Sequence, residues 1–194
     1  MKVLLLTPRP QLLVPAIMNA GDSFTVSMGM PDLWPEEIDY VVSFGYRHII
    51  REPYLTKYAG RMINIHQSIL PWNRGADPNF WSWFDDTPKG ISIHLIDDGL
   101  DTGPVVMQME VTKWRGGETL KGSYEFLNQC ASQLFALEWK RFRSQNFFLL
   151  PSEGNGSYHR SSDKNEYMSM LPMGWDTPVE IVSNFGASKR VSLN

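Results

Sequence analysis

The chain has 194 residues, 18 lysines and arginines against 21 aspartates and glutamates, and a formal net charge of −3. At about 150 residues per domain, one domain with a short appendage is expected, and 42% apolar with 20% charged residues describes a folded chain. The balanced charge offers no basic field to a nucleic acid, and the apolar run Val3 to Leu6 is too short for a signal peptide or a membrane span. Cys130, the single cysteine, leaves no disulfide or thiolate cluster to form. A soluble, cytoplasmic protein is expected.

Residues 2–6 are an unbroken apolar run, the pattern of a strand buried on both faces. Residues 11–19 read as a short helix that stops at Gly21. Alternation over residues 23–28 predicts a second strand, and residues 39–44, closed by Gly45, a third. Residues 53–58 are helical in composition and end at Gly60, and residues 62–66 follow as a fourth strand. A polar loop punctuated by proline and glycine runs from Gln67 to Pro78. Residues 79–84 begin a helix with Asp77 as N-cap and Pro78 in its first position. Residues 90–96 and 105–111 alternate as two further strands, and residues 120–146 hold the longest helical period. After Pro151 the chain turns polar, so residues 151–163 read as a loop leading to a short helix at 178–184. Strands alternating with helices predict an α/β fold: a Rossmann-like, mostly parallel sheet with helices on both faces.

The strand at 62–66 puts Asn64 and His66 on one face, with Cα atoms about 6.8 Å apart, while Ile63 and Ile65 turn to the other. An amide and an imidazole at the carboxyl end of a strand stand where open α/β sheets bind ligands. Polar groups there can equally do no more than tie down the following loop. Asp97, Asp98 and Asp101 share a turn with Gly99, Gly103 and Pro104, for which solvated Asx-turns are the plain reading. His66, His94 and these aspartates are nitrogen and oxygen donors, but no pair has the spacing of a metal motif, so no metal is expected. Trp81 and Trp83 are core or a wall against a ligand, and His48 and His159 taken singly say little. The turn after the first strand, Thr7-Pro8-Arg9-Pro10, lacks the glycines of a phosphate loop. A simple dinucleotide-binding module is therefore not expected.

Together these residues resemble the formyltransferases that use 10-formyltetrahydrofolate. That family's hallmark is Asn-x-His, then Ser-Leu-Leu-Pro and a glycine, and later a strand histidine and Asp-x-Gly-Pro. Here it stands as Asn64-Ile65-His66-Gln67-Ser68-Ile69-Leu70-Pro71, Gly75, His94 and Asp101-Thr102-Gly103-Pro104. The similarity spans about residues 39–146. Residues 70–78, with Trp81 and Pro88-Lys89-Gly90, are most similar to the small sugar N-formyltransferases and equally to the formylation domain of gramicidin-type peptide synthetases. The resemblance implies the formyltransferase fold with a shortened N-terminal half. Residues 1–150 would be the catalytic domain and residues 151–194 a C-terminal loop and short helix appended to it.

By the same resemblance, Asn64 donates to the oxyanion formed when an amine attacks the formyl carbon. His66 faces the same oxygen and handles a proton, and Asp101 supports protonated His66 and helps deprotonate the amine. The rate should then fall at low pH as the amine and Asp101 become protonated. Folate would sit between Tyr46, Arg47, His48, Ile49 and Ile50 on one loop and Ile96, Asp97, Asp98 and Leu100 on another, held largely by backbone shape. Acceptor contacts fall to Trp72, Arg74, Asp77, Trp81, His94 and His159, with the wider segment 156–160. The implied cosubstrate is 10-formyltetrahydrofolate, without a metal. The implied partner is a small primary amine, on a nucleotide-linked amino sugar, with no nucleic acid or membrane and with a homodimer left open. The missing glycine-rich turn weighs against glycinamide ribonucleotide, and the lack of a basic surface against methionyl-tRNA. An aminoacyl group on a peptide-synthetase carrier protein, or a non-catalytic folate-binding module, are the alternatives.

Overall fold

The computed structural model describes residues 1–29, 34–114, 118–151 and 154–192. Strand β1 (Lys2–Leu6) is buried from Val3 onward, as its unbroken apolar run requires. A 3₁₀ turn at Pro10–Leu12 leads into α1 (Val14–Asn19), which is followed by Gly21 in the left-handed region. Strands β2 (Ser23–Ser27), β3 (Tyr40–Phe44) and β4 (Met62–His66) all run parallel to β1. The short helix α2 (Tyr54–Lys57) leads into β4. Strand β6 (Gly90–Leu95) then pairs antiparallel with β4, and β7 (Val105–Glu110) closes the sheet antiparallel to β6. Among the described residues the order is β2-β1-β3-β4-β6-β7, mostly parallel as the alternating pattern predicts.

Side-chain alternation gives the sheet two buried faces. On one, Val3, Leu5, Val42, Ile63, Ile65, Ile91 and Ile93 pack against α1 and α4 (Leu120–Arg143), from which Leu127, Ala131, Phe135 and Trp139 descend. Thr119 caps α4, its Oγ1 accepting from Gly122 N at 3.0 Å, a contact of about 1 kcal/mol. At the far end of α4, the buried carboxylate of Asp22 accepts from Trp139 Nε1 at 2.9 Å and pairs with Arg143 at 3.0 Å. On the other face Leu4, Leu6, Val41 and Met62 meet Trp34, Ile38 and Tyr58 around α2. Asn64 and His66 continue the Met62 row beyond this apolar patch, where loops rather than a helix cover the sheet.

The C-terminal segment is more structured than the sequence pattern predicts. Within the expected loop at 151–163, of which residues 152–153 lie outside the described residues, β8 (Tyr158–His159) pairs with β5 (Arg74–Gly75). Two 3₁₀ segments, Asp163–Met170 and Gly174–Asp176, lead to α5 (Val179–Ser192). Leu171, Val179 and Val182 bury against Phe80, Trp81 and Phe84 of α3 (Pro78–Phe84) in a third apolar cluster. The helix expected to stop at residue 184 runs through Gly186. That glycine lies against the Phe84 carbonyl, where a Cβ has no room, so it marks a close helix crossing and not a helix end. No helix among the described residues is long and apolar enough to cross a membrane.

Candidate active site

Because β4 and β6 pair antiparallel, Asn64 lies directly opposite His94 and His66 opposite Ser92. Asp101 reaches the same spot from the turn that follows β6. Its φ of 54 is unusual for a residue with a side chain, the kind of backbone strain found at functional sites. Its carboxylate is a hub. Oδ1 accepts from Asn64 Nδ2 at 3.1 Å and lies 3.3 Å from His94 Nε2. Oδ2 accepts from the Gly75 N–H at 2.8 Å and lies 3.5 Å from His66 Nδ1.

The opposite edges of the two imidazoles are fixed by carbonyls. His66 Nε2 donates to Asn73 O at 2.9 Å, and His94 Nδ1 donates to Leu95 O at 2.8 Å. A carbonyl can only accept, so each of those nitrogens carries a hydrogen and the other nitrogen is left facing the carboxylate. His66 therefore meets an oxygen acceptor at both nitrogens. His66 and His94 are 6% and 2% exposed, whereas Asn64 is half-buried and is the group an incoming ligand can reach.

Burial pushes the Asp101 carboxyl up, but the charge of His66, the hydrogen bond and charge of His94, and the Gly75 N–H together hold it well below the usual carboxylate range. A carboxylate so held is a weak base. That suits a fixed charge better than the expected removal of a proton from the amine.

The two loops expected to clasp folate border one apolar cluster: Tyr46, Ile50 and Ile96 pack against Met62 and Val41. Ile49 and Leu100 are exposed at their rims, as are Arg47, His48 and Asp98. Asp97 Oδ1 accepts from Gly99 N at 3.2 Å and from Thr102 Oγ1 at 2.8 Å. This Asx-turn shapes the loop that delivers Asp101.

The residues expected to contact the acceptor are placed less uniformly. Trp72 is 39% exposed at the mouth. Arg74 lies on β5, with one guanidinium nitrogen 3.4 Å from Asn155 O. Trp81 is 4% exposed because His159 stacks on it, with ring centroids 3.9 Å apart, so its face is covered and not an open wall. His159 Nε2 sits 2.9 Å from Asp85 Oδ2, bent away from hydrogen-bond geometry. Asp77 occupies the N-cap position of α3 but its side chain makes no capping bond; it takes Lys164 Nζ at 2.6 Å instead. His94, expected at the acceptor, is buried beside Asn64 and Asp101 and belongs with them. The β4–β6 register, which pairs residues 64 and 94, is the signal that would have placed it. Asn73, whose carbonyl holds His66, is not among the expected site residues, and Gly75, a fixed point of the motif, has no role assigned there although its amide holds Asp101.

Among the described residues, no group of three or more His, Cys, Asp or Glu side chains is arranged to hold a metal ion. Shallow hollows beside Lys2, Ser23 and Glu37 lie at the amino ends of β1 and β2, far from this cluster.

The sequence profile of the formyl transferase family matches residues 31–135, more than half of the chain. The chain belongs to the formyl transferase family. It is 39% identical to the formyltransferase PseJ from Anoxybacillus kamchatkensis, solved in complex with UDP-4,6-dideoxy-4-formamido-L-AltNAc and tetrahydrofolate. The match covers 96% of this chain and 100% of that one, with a TM-score of 0.89. A sugar N-formyltransferase from Shewanella sp. FDAARGOS_354 shares the fold at 20% identity and a TM-score of 0.73, over 96% of this chain and 86% of its own. Phosphoribosylglycinamide formyltransferase from Escherichia coli is 37% identical over 79 residues, 40% of this chain and 37% of that enzyme. The chain thus aligns with only 22% to 39% of the length of the curated relatives it matches. In this formyl transferase, the stretch shared with the Escherichia coli enzyme is less than half the chain, whereas the likeness to PseJ takes in the C-terminal segment as well.

Proposed function

We propose that this formyl transferase moves the formyl group of 10-formyltetrahydrofolate onto the 4-amine of a UDP-linked 4-amino-4,6-dideoxy sugar. The observation that carries the reading is the end-to-end likeness to PseJ, whose bound ligands are tetrahydrofolate and such a formamido sugar nucleotide. The amine attacks the formyl carbon, and the carbonyl oxygen becomes an alkoxide. Asn64, half-buried and bearing two amide hydrogens, turns one of them to that oxygen, a donation typically worth ~10²–10³ in rate. The new C–N bond forms as the bond from the formyl carbon to folate N10 breaks. The amine gives up one proton and N10 takes one up, an exchange served by the charged Asp101–His66 pair behind Asn64, so the products are the formamide and tetrahydrofolate. Asp101 stays charged throughout and balances positive charge that develops as the neutral amine attacks. The pterin lies between the loops at 46–50 and 96–100, and the acceptor enters past Trp72. We place the reaction in the cytoplasm.

Calorimetry with tetrahydrofolate, and thermal-shift measurements with UDP-, dTDP-, GDP- and CMP-linked amino sugars, test the reading. Folate binding and a stabilisation largest for the UDP sugar are expected. No folate binding would overturn the enzyme reading, and a larger shift with another nucleotide would overturn the choice of acceptor.

A further inference from the structure

We propose that Ser157, in the C-terminal segment, is a positioning residue for formyl transfer. It fixes the strand whose Asn73 carbonyl and Gly75 amide hold His66 and Asp101. The proposal rests on the reading above for its chemistry, and on the contacts below for its geometry.

Two backbone groups on one short stretch hold the site from outside the sheet. Asn73 O takes the hydrogen of His66 Nε2 at 2.9 Å, and Gly75 N donates to Asp101 Oδ2 at 2.8 Å. Whatever fixes residues 73–75 therefore fixes both side chains. Strand β5 is only two residues long, and so is its partner β8; a pair that short has little stability of its own.

The missing rigidity comes from Ser157. Its Oγ accepts from Asn73 N at 2.8 Å and donates to Asn73 Oδ1 at 3.1 Å. Its backbone N–H donates to Pro71 O at 3.2 Å, and its carbonyl accepts from Arg74 N at 3.0 Å. From the far side of Asn73, Nδ2 donates to Thr87 Oγ1 at 2.7 Å. Every polar atom of Asn73 is thus used: two by Ser157, one by Thr87 and the carbonyl by His66.

Asn73 is fully buried with φ 56, a left-handed conformation that surrounding contacts must hold in place. Gly75 completes the clamp. With φ 91 and the His159 carbonyl against the place of a Cβ, it lets β8 come close enough for the Ala76 N–H to reach that carbonyl at 2.9 Å. Removing the Ser157 hydroxyl leaves a buried N–H and a buried amide oxygen of Asn73 without partners. The strand then relaxes, and the His66 Nε2–H loses its fixed acceptor. Ser157 lies in the segment 156–160 expected near the acceptor, but its polar atoms are spent on Asn73, Pro71 and Arg74, so its loss acts on turnover and not on affinity.

The test compares Ser157→Ala and Thr87→Val, which unfasten Asn73 from opposite sides, with the unmodified chain. For each, kcat and KM for 10-formyltetrahydrofolate are measured alongside the ¹⁵N NMR signals of the His66 ring, assigned with His66→Ala. The expected result is a kcat lower by about tenfold, the scale of one lost hydrogen bond, with KM within about twofold. The His66 Nε2 signal should shift and broaden as its fixed acceptor, the Asn73 carbonyl, becomes mobile. If Ser157→Ala does not fold, Thr87→Val carries the same expectation. Unchanged kcat and an unchanged His66 ring in the folded variants would overturn the proposal, as would a loss confined to KM. If the unmodified chain transfers no formyl group, the proposed function fails, while the ring signals still show whether Ser157 holds His66.

Discussion

Replacing Asp101 with asparagine removes one charge and changes almost nothing else. The two side chains have nearly the same volume, and asparagine tolerates the left-handed backbone at φ 54 as well as aspartate does. The carboxylate takes hydrogens from Asn64 and Gly75 and faces a nitrogen of each of His66 and His94. An amide has one acceptor oxygen, so whichever way it turns, its NH₂ points at a donor. Losing a charge-assisted bond costs about 1.5–3 kcal/mol, and a buried donor left facing a donor about 1–3 kcal/mol more. A total near ~4 kcal/mol corresponds to about 10³ in rate, at ~1.4 kcal/mol per decade. Asp101→Asn should therefore lower kcat by about 10³ while tetrahydrofolate binds with unchanged affinity, since the folate loops pack without this carboxylate. Formamide product is followed by chromatography and folate affinity by calorimetry. A variant within threefold of the unmodified rate, or one that no longer binds folate, would refute the electrostatic account of Asp101.

His66→Ala and Asp101→Ala should each cost at least ~10², and the double variant little more than the worse single one, because both act on one charge and proton path; additive losses in the same assay would contradict this. Asp97→Ala removes only the Asx-turn bonds to Gly99 and Thr102, so its kcat should stay within about tenfold of the parent. A loss larger than that of Asp101→Ala would show the turn to be the more critical element. Gly75→Ala forces a side chain into the left-handed region against the His159 carbonyl. Overpacking and strain of about 2–3 kcal/mol should lower the melting temperature by about 5–10 °C, and a calorimetric scan without such a shift would count against the close approach. The native pKa of Asp101 lies below its unfolded value of about 3.9, so its ionisation stabilises the fold fully above pH ~4 and progressively less as pH falls toward the native pKa. The stability gap between the parent and Asp101→Asn, read from denaturant titrations, should shrink below pH 4 and not widen.

Much of the sheet and the heart of the site were legible in the sequence because their signals are local. The apolar run at Val3 to Leu6 and the alternation that sets Asn64 and His66 apart from Ile63 and Ile65 repeat over a few residues, and burial follows them. Contacts made at long range left no such mark. His94 joins Asp101 only through the antiparallel register of β4 and β6. Asn73 and Ser157, 84 positions apart, meet only because two dipeptides pair as β5 and β8. The helix expected to end at residue 184 runs on through Gly186, and only the approach of α5 to the Phe84 carbonyl shows why its interior carries a glycine. Trp81, equally readable as core or ligand wall, is settled by a histidine that lies 78 residues along the chain at 159.

The most direct test of the central claim uses 10-formyltetrahydrofolate labelled with ¹³C in the formyl group, incubated with the protein and UDP-4-amino-4,6-dideoxy-L-AltNAc. Mass spectrometry should find the label in a formamide on the sugar nucleotide, in step with release of tetrahydrofolate, and should find none when Asn64→Ala and Asp101→Asn are combined. Label left on the folate, or appearing only as free formate, would contradict the assignment of this chain as a sugar N-formyltransferase.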